Sequence, residues 1–220
     1  LVEYYKTNNL PEKFFRWGGQ FIVRSKSQML PEDFEMAAKS GCDNLCWGFE
    51  SGSEDVRNHM QKQFSNDDLD YCMEQMSRVG MHCYFFMIIG YPTETDKNFQ
   101  ETLDLFYDHQ KYVGSGTIHG TSLNITMVMY PGIPLEKDPN PVFVRDKSEE
   151  GTWGWTSTVV PYLDWERRLE RRLIAQEVCD MLKWPTISAD RELGNILKRH
   201  EGYLAWKNGN LSTNIDKRPD

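Results

Sequence analysis

No stretch of this chain is apolar for the roughly 20 residues that a membrane-crossing helix needs. The most apolar run, Tyr84 to Ile89, has the length of a strand. The apolar segment of a secretory leader is also missing. The chain opens on Leu1, in what reads as the end of a helix, so the reading expects sequence ahead of it. Positive charge is in the minority, with 25 Lys and Arg against 33 Asp and Glu and a formal net charge of −8. A field of that sign repels phosphates and disfavours a free-standing nucleic-acid-binding module, although a local basic pocket stays compatible with it. Cysteine is scarce: Cys42, Cys46, Cys72, Cys83 and Cys179 form an odd, scattered set. That set excludes a secreted disulfide framework and points to a reducing cytoplasm. His59, His82, His109, His119 and His200 lack the spacing of metal ligands. No glycine-rich phosphate loop follows the later strands, which leaves an ordinary barrel enzyme for phosphorylated metabolites without support.

What is present is enough for a core, at 39% hydrophobic and 13% aromatic residues. Residues 1–16 read as helical, broken at Asn8-Asn9 and Pro11. Gln20 to Arg24 reads as a strand. Pro31 suits a helix start and Gly41 its end, with Phe34, Ala37 and Ala38 at helical spacing between them. Asn44 to Glu50 is a second strand, followed by a turn in which Ser51 and Glu54 have capping-box spacing. Ser65 can cap a longer helix whose apolar positions Leu69, Cys72, Met73 and Met76 follow the i, i+3, i+4, i+7 pattern, and Gly80 can close it. Cys83 to Ile89 is apolar throughout, as in a parallel strand covered on both faces. Phe99, Leu103, Phe106 and Tyr107 mark another helix, and Leu123 to Tyr130 a fourth strand.

This alternation of strand and helix predicts an α/β fold: a partial (β/α) TIM-like barrel with parallel strands over residues 1–135. Residues 136–163, rich in Pro and carrying Trp153 and Trp155, read as an ordered but irregular loop. Residues 164–220 read as a C-terminal helical extension, with Asp164 as cap, Pro185 as stop, a last helix over about 188–200 and a frayed polar end. Arg167, Arg168, Arg171 and Arg172 alternate with Glu166 and Glu170, the pattern of a solvated helix face. Met81, Met87, Met127 and Met129 read as core residues.

In parallel α/β folds, ligands sit at the carboxyl ends of the strands. There the sequence places Arg24, then Glu50-Ser51-Gly52-Ser53, then Gly90-Tyr91-Pro92-Thr93-Glu94-Thr95, then Pro131-Gly132. A cation, a carboxylate, hydroxyls and glycine turns on one rim suit a zwitterionic, hydroxyl-bearing ligand. Glu50 can accept from an ammonium or a hydroxyl, Arg24 can pair with a carboxylate, and Gly90 admits close approach of a flat group. Ser51 could instead only cap a helix, and Gly90 and Pro92 could only shape a turn. Glu94 and Thr95 read as helix-start residues.

Four of these pieces also carry a family resemblance. Trp47-Gly48-Phe49-Glu50-Ser51-Gly52-Ser53, Met60-Gln61-Lys62, Ile88 to Thr95 and Tyr130-Pro131-Gly132-Ile133-Pro134-Leu135 together resemble the second half of a radical S-adenosylmethionine (SAM) barrel. The likeness is to the large group often found with a cobalamin-binding domain. It covers about residues 15–135. It implies an enzyme that cleaves SAM reductively at a 4Fe-4S cluster, giving a 5′-deoxyadenosyl radical, with cobalamin supplied through a separate domain. It implies that Glu50 and Ser51 lie beside the amino-acid and ribose portions of SAM, Gly90 and Pro92 near adenine, and Arg24 at a basic position on the preceding strand. This sequence departs from the family in one respect: no Cys-x-x-x-Cys-x-x-Cys loop exists. Cys42 and Cys46 have the first spacing, but Phe49 stands where the third cysteine belongs. The cluster loop, and the first two βα units of a six-unit barrel, are expected ahead of Leu1. The chain alone is then inactive and its substrate is not readable. The alternative is a SAM-binding or protein-interaction remnant, self-associating through the open edges of its sheet.

Overall fold

The computed structural model describes residues 1–124, 129–145 and 154–186. Leu1–Ile187 forms one compact unit. Four strands, β1 (Trp17–Phe21), β2 (Cys42–Glu50), β3 (His82–Ile88) and β4 (Ile118–Asn124), lie side by side in chain order. Every pairing is parallel. The connections carry helices: α2 (Pro31–Lys39), α3 (Glu54–His59), α4 (Asn66–Val79), α5 (Asp96–Asp108) and α6 (Gln110–Gly114), with α1 (Val2–Thr7) ahead of β1. The expected α/β half-barrel is thus present as an open four-stranded sheet; the described residues do not close it.

Burial explains which side the helices took. Along β2, Leu45, Trp47 and Phe49 are buried, while Cys46, Gly48 and Glu50 are half-buried. Along β3, Cys83, Phe85 and Met87 are buried, while Phe86 is exposed. The buried rows join Phe34 of α2, Leu69, Cys72, Met73 and Met76 of α4, and Phe99, Leu103 and Phe106 of α5 in one core. Trp47 tilts against Phe85 at 5.6 Å, and Phe49 stacks on it at 5.5 Å. The expectation that β3 is covered on both faces is corrected. Only the helix-side row has a partner layer among the described residues, because an open sheet leaves its second face without one.

The helix signals act as their chemistry dictates. Ser65 accepts the Asp68 amide at 3.1 Å, and Asp68 accepts the Ser65 amide at 3.0 Å, a reciprocal capping box. Thr95 and Asn98 do the same at the start of α5. The Ser51–Glu54 box does not form. Ser53 is the residue before α3, and Ser51 instead accepts the Ser53 amide at 3.2 Å.

Two strands are shifted from their expected places. β1 begins at Trp17, ahead of the Gln20–Arg24 run, because the ladder to β2 recruits Gly18 and Gly19, whose strand propensity is poor. β4 spans Ile118–Asn124 rather than Leu123–Tyr130, since Cys83 to Ile88 of β3 set its register through Ile118, Gly120, Thr121 and Ser122. Residues 125–128 lie outside the described residues. The segment expected to be irregular contains an antiparallel hairpin of β5 (Phe143–Arg145) and β6 (Trp155–Ser157). Trp155 packs there with Met129, Val142 and Phe143.

Asp164 caps α7 (Trp165–Met181), accepting the Arg167 amide at 2.9 Å. This helix packs on α5 and β4. The solvated arginine face is a further correction: Arg168, Arg171 and Arg172 are buried. They are tolerated because rim carbonyls and carboxylates receive their protons. The final helix expected over 188–200, the frayed end and Trp153 lie outside the described residues.

Candidate functional site

Parallel pairing sends the carboxyl ends of all four strands to one edge of the sheet. Arg24 follows β1, Glu50 ends β2, and Gly90 and Pro92 follow β3, so the expected residues share that rim. The β2–β3 ladder skips a residue between Gly48 and Glu50, bringing Glu50 opposite Met87. Glu50 has a left-handed backbone, φ 72°. For a residue with a side chain that conformation persists only where surrounding contacts hold it.

Lys62 supplies the contacts. Its ammonium donates to Glu50 Oε1 at 3.1 Å and to the Gly48 carbonyl at 3.3 Å. Any Cβ on Gly48 would fall 2.8 Å from that carboxylate oxygen and 3.2 Å from the ammonium. The pair keeps some solvent, with side chains 17% and 33% exposed for Glu50 and Lys62. Lys62 is a rim residue that residue chemistry missed. Its only sequence signal was its place in the Met60-Gln61-Lys62 motif, because a lysine twelve residues along the chain gives no periodic clue to Glu50.

The other expected residues divide. Arg24 is exposed, and its carbonyl accepts from the Cys72 thiol at 3.2 Å. Ser51 is buried. Its hydroxyl lies 3.4 Å from the Thr102 hydroxyl of α5, so its side chain faces the loop interior. Arg57, whose guanidinium lies over the rings of Phe49 and Phe64, donates to the Ser51 carbonyl at 2.7 Å. Burial lowers the Arg57 guanidinium to about 10, Glu54 partly opposing. The Pro92 carbonyl accepts the Ser157 hydroxyl of β6 at 2.6 Å.

Gly90 has φ 79°, and a Cβ there would lie 2.6 Å from Arg168 Cγ. Close approach at Gly90 is therefore real, but on that side the visitor is an arginine of α7. The Arg168 guanidinium stacks 3.6 Å from the Trp155 ring centroid, and Trp155 is buried. Next to it, Glu94 is fully buried. Its Oε1 accepts the Gly90 amide at 3.0 Å and Arg171 at 3.0 Å; its Oε2 has no partner among the described residues. Burial raises the Glu94 carboxyl to about 7, with Arg171 opposing. The nearby cation does not prevail because it is shared: Arg171 also holds Asp96 at 2.6 Å.

Among the described residues, no group of three or more His, Cys, Asp or Glu could hold a metal ion. The cysteines do not fit an iron–sulfur cluster. Cys42 lies in the helix-side core and Cys46 outside it, in the half-buried row of β2. Thiolates are the ligating form. Burial pushes Cys42 and Cys72 up to about 11 and Cys179 to about 12, and raises Cys83 further. His59 bonds Tyr91 at 2.9 Å, His82 the Gly116 carbonyl at 2.8 Å, and His109 Asp70 at 2.7 Å, so these three are satisfied side chains. Met81, Met87 and Met129 are core residues as expected, and Met127 lies outside the described residues.

The fold is a parallel α/β sheet of the partial-barrel kind, open among the described residues. Residues 3–106 match the Radical SAM superfamily. SAM and a 4Fe-4S cluster are the cofactors of that superfamily; the described cysteines do not fit the second. Six chains of solved structures match. One is the radical SAM methyltransferase TsrM from Kitasatospora setae, with cobalamin and a 4Fe-4S cluster bound. It is 14% identical, with a TM-score of 0.47 and coverage of 76% of this chain and 33% of its own. The chain thus spans a third of that protein's length. No curated protein matches.

Proposed function

We propose that this chain supplies the SAM-holding rim of a radical SAM enzyme, with the cluster-binding cysteines contributed by polypeptide outside this sequence. The carrying observation is Glu50, fixed by Lys62 in a left-handed backbone at the end of β2, on the same sheet edge as the Gly90 turn. In this superfamily SAM bound at a reduced cluster is the radical source; no step through the cluster is assigned to these residues. Glu50 would accept from the ammonium or a ribose hydroxyl of SAM, and Lys62 would donate to its carboxylate, each at little reorganisation cost because the pair is already held. Arg24, exposed on the neighbouring strand end, adds a second cation for that carboxylate. Ser51 acts through the shape of its buried loop, and Gly90 and Pro92 present the turn on the adenine side.

The accompanying setting is a reducing cytoplasm, supported by five free cysteines. Among the described residues no helix is long and apolar enough to cross a membrane. Calorimetric titration of the full chain with SAM tests the proposal. Saturable binding that E50Q abolishes and K62M weakens is expected. Absence of binding, or binding indifferent to both changes, refutes it.

A further inference from the structure

Residues 165–181 lie beyond the stretch that matches the superfamily, yet they drive three guanidinium groups into the rim. Arg168 fills the space beside Gly90 and donates to the Trp155 carbonyl. Arg172 donates from Nε to the Leu123 carbonyl at 2.6 Å, near the end of β4. Arg171 makes the most connected contact. Its Nη1 donates to both the Glu94 carbonyl, at 2.7 Å, and Glu94 Oε1, at 3.0 Å, while its Nη2 donates to Asp96 at 2.6 Å. Glu94 Oε1 in turn accepts the Gly90 amide at 3.0 Å. One arginine thus holds the α5 end of the turn directly and its β3 end through Glu94. Its side chain and that of Glu94 are both 0% exposed, so this pair is undiluted by solvent.

We propose that Arg171 is a positioning residue: α7 sets the shape of the Gly90–Thr95 turn through Glu94, so that a ligand lying against the turn is held only while α7 is docked. Packing of two helices needs no such arrangement; apolar Leu169, Leu173 and Val178 on α7 would suffice for that. Buried guanidiniums are a costly way to add stability, and apolar replacements of a buried ion pair are often neutral. What they supply here is directional: donors aimed at a carbonyl and two carboxylates within three residues fix backbone geometry that apolar contacts would leave free. Within the turn the Glu94 amide donates to the Tyr91 carbonyl at 2.8 Å and the Glu94 side chain accepts the Gly90 amide, so the carboxylate that Arg171 holds is the one that ties the two ends of the turn together. The coupling of turn to helix stands on the geometry alone; its extension to ligand binding deepens the SAM reading and rests on it.

Hydrogen–deuterium exchange on the full, ligand-free chain tests the coupling, comparing a peptide over residues 88–96 with the α4 peptide, residues 66–79, as reference. In R171M, protection over 88–96 is expected to fall by about tenfold or more with α4 unchanged. R171K is expected to restore part of it, since an ammonium can hold a carboxylate but cannot span all three acceptors. Should R171M not fold, E94Q/R171M, which removes both charges, decides the matter: a folded protein with an unprotected turn is the expected result. Native protection over 88–96 in that double variant, or equal loss over 88–96 and 66–79, overturns the coupling. Titration with SAM then separates the two ideas. Wild-type binding weakened about tenfold or more in the folded variant supports the extension to ligand binding. Equal affinities overturn that extension while the site itself stands. Failure of the wild type to bind SAM removes the site and the ligand extension together, and the exchange result still decides the coupling.

Discussion

Replacing Glu94 by glutamine tests whether burial or Arg171 governs this carboxyl. In the folded protein the group is raised from its ordinary 4.5 to about 7, chiefly by burial, with Arg171 opposing. At about 1.4 kcal/mol per pH unit, a displacement of that size corresponds to roughly 3 kcal/mol of linkage. Because the folded value is raised, the folded state holds a proton that the unfolded chain releases. The stabilisation is therefore fully present below about 4.5 and lost as pH rises through about 7. The side-chain amide of the E94Q variant keeps an acceptor for the Gly90 amide and for Arg171 but cannot ionise. The stability difference between wild type and E94Q, from urea unfolding followed by tryptophan fluorescence, should shift against the wild type by about 2–3 kcal/mol between pH 5 and pH 8. Asp96, held below its ordinary 3.8 largely by Arg171 and Arg167 against its own desolvation, contributes in the opposite sense, its stabilisation being lost as pH falls. That change lies below the window and is common to both proteins. A flat difference would show that Glu94 does not titrate there. In that case Arg171 outweighs the desolvation of the buried carboxylate, its titration lies below the window, and the inference from the shared cation is wrong.

G90A should cost about 2–4 kcal/mol in urea unfolding, combining positive φ with overlap on Arg168 Cγ; a loss under about 0.5 kcal/mol would mean that α7 yields freely. S65A should cost about 1 kcal/mol, read by the same unfolding assay, through the lost cap of α4. The uncharged β1 strand lies at one side of the sheet, whereas β4 bridges to Thr186. Self-association is therefore expected through β1, and Q20K should weaken it in sedimentation velocity; unchanged association would point to another surface.

The legibility of the site was uneven for physical reasons. Glu50, Gly90 and Pro92 could be assigned to one rim because strand–helix alternation fixes which chain ends meet in a parallel sheet. Lys62 was visible only as part of a motif, since the bulge that turns Glu50 toward it depends on pairing with β3. The arginines of α7 were misread because the sequence alternates them with Glu166 and Glu170, and burial of a guanidinium is decided by acceptors 13 to 77 residues distant.

Local chemistry therefore determined the helices, their caps, the helix-side core and the order of the elements: hydrophobic periodicity and side-chain capping act within a few residues. Tertiary structure alone decided the register of β1 and β4, the β5–β6 hairpin and the buried role of Arg168, Arg171 and Arg172. Those depend on long-range backbone pairing and on whether a polar group finds a partner once water is excluded, and neither is written into any short window of the chain.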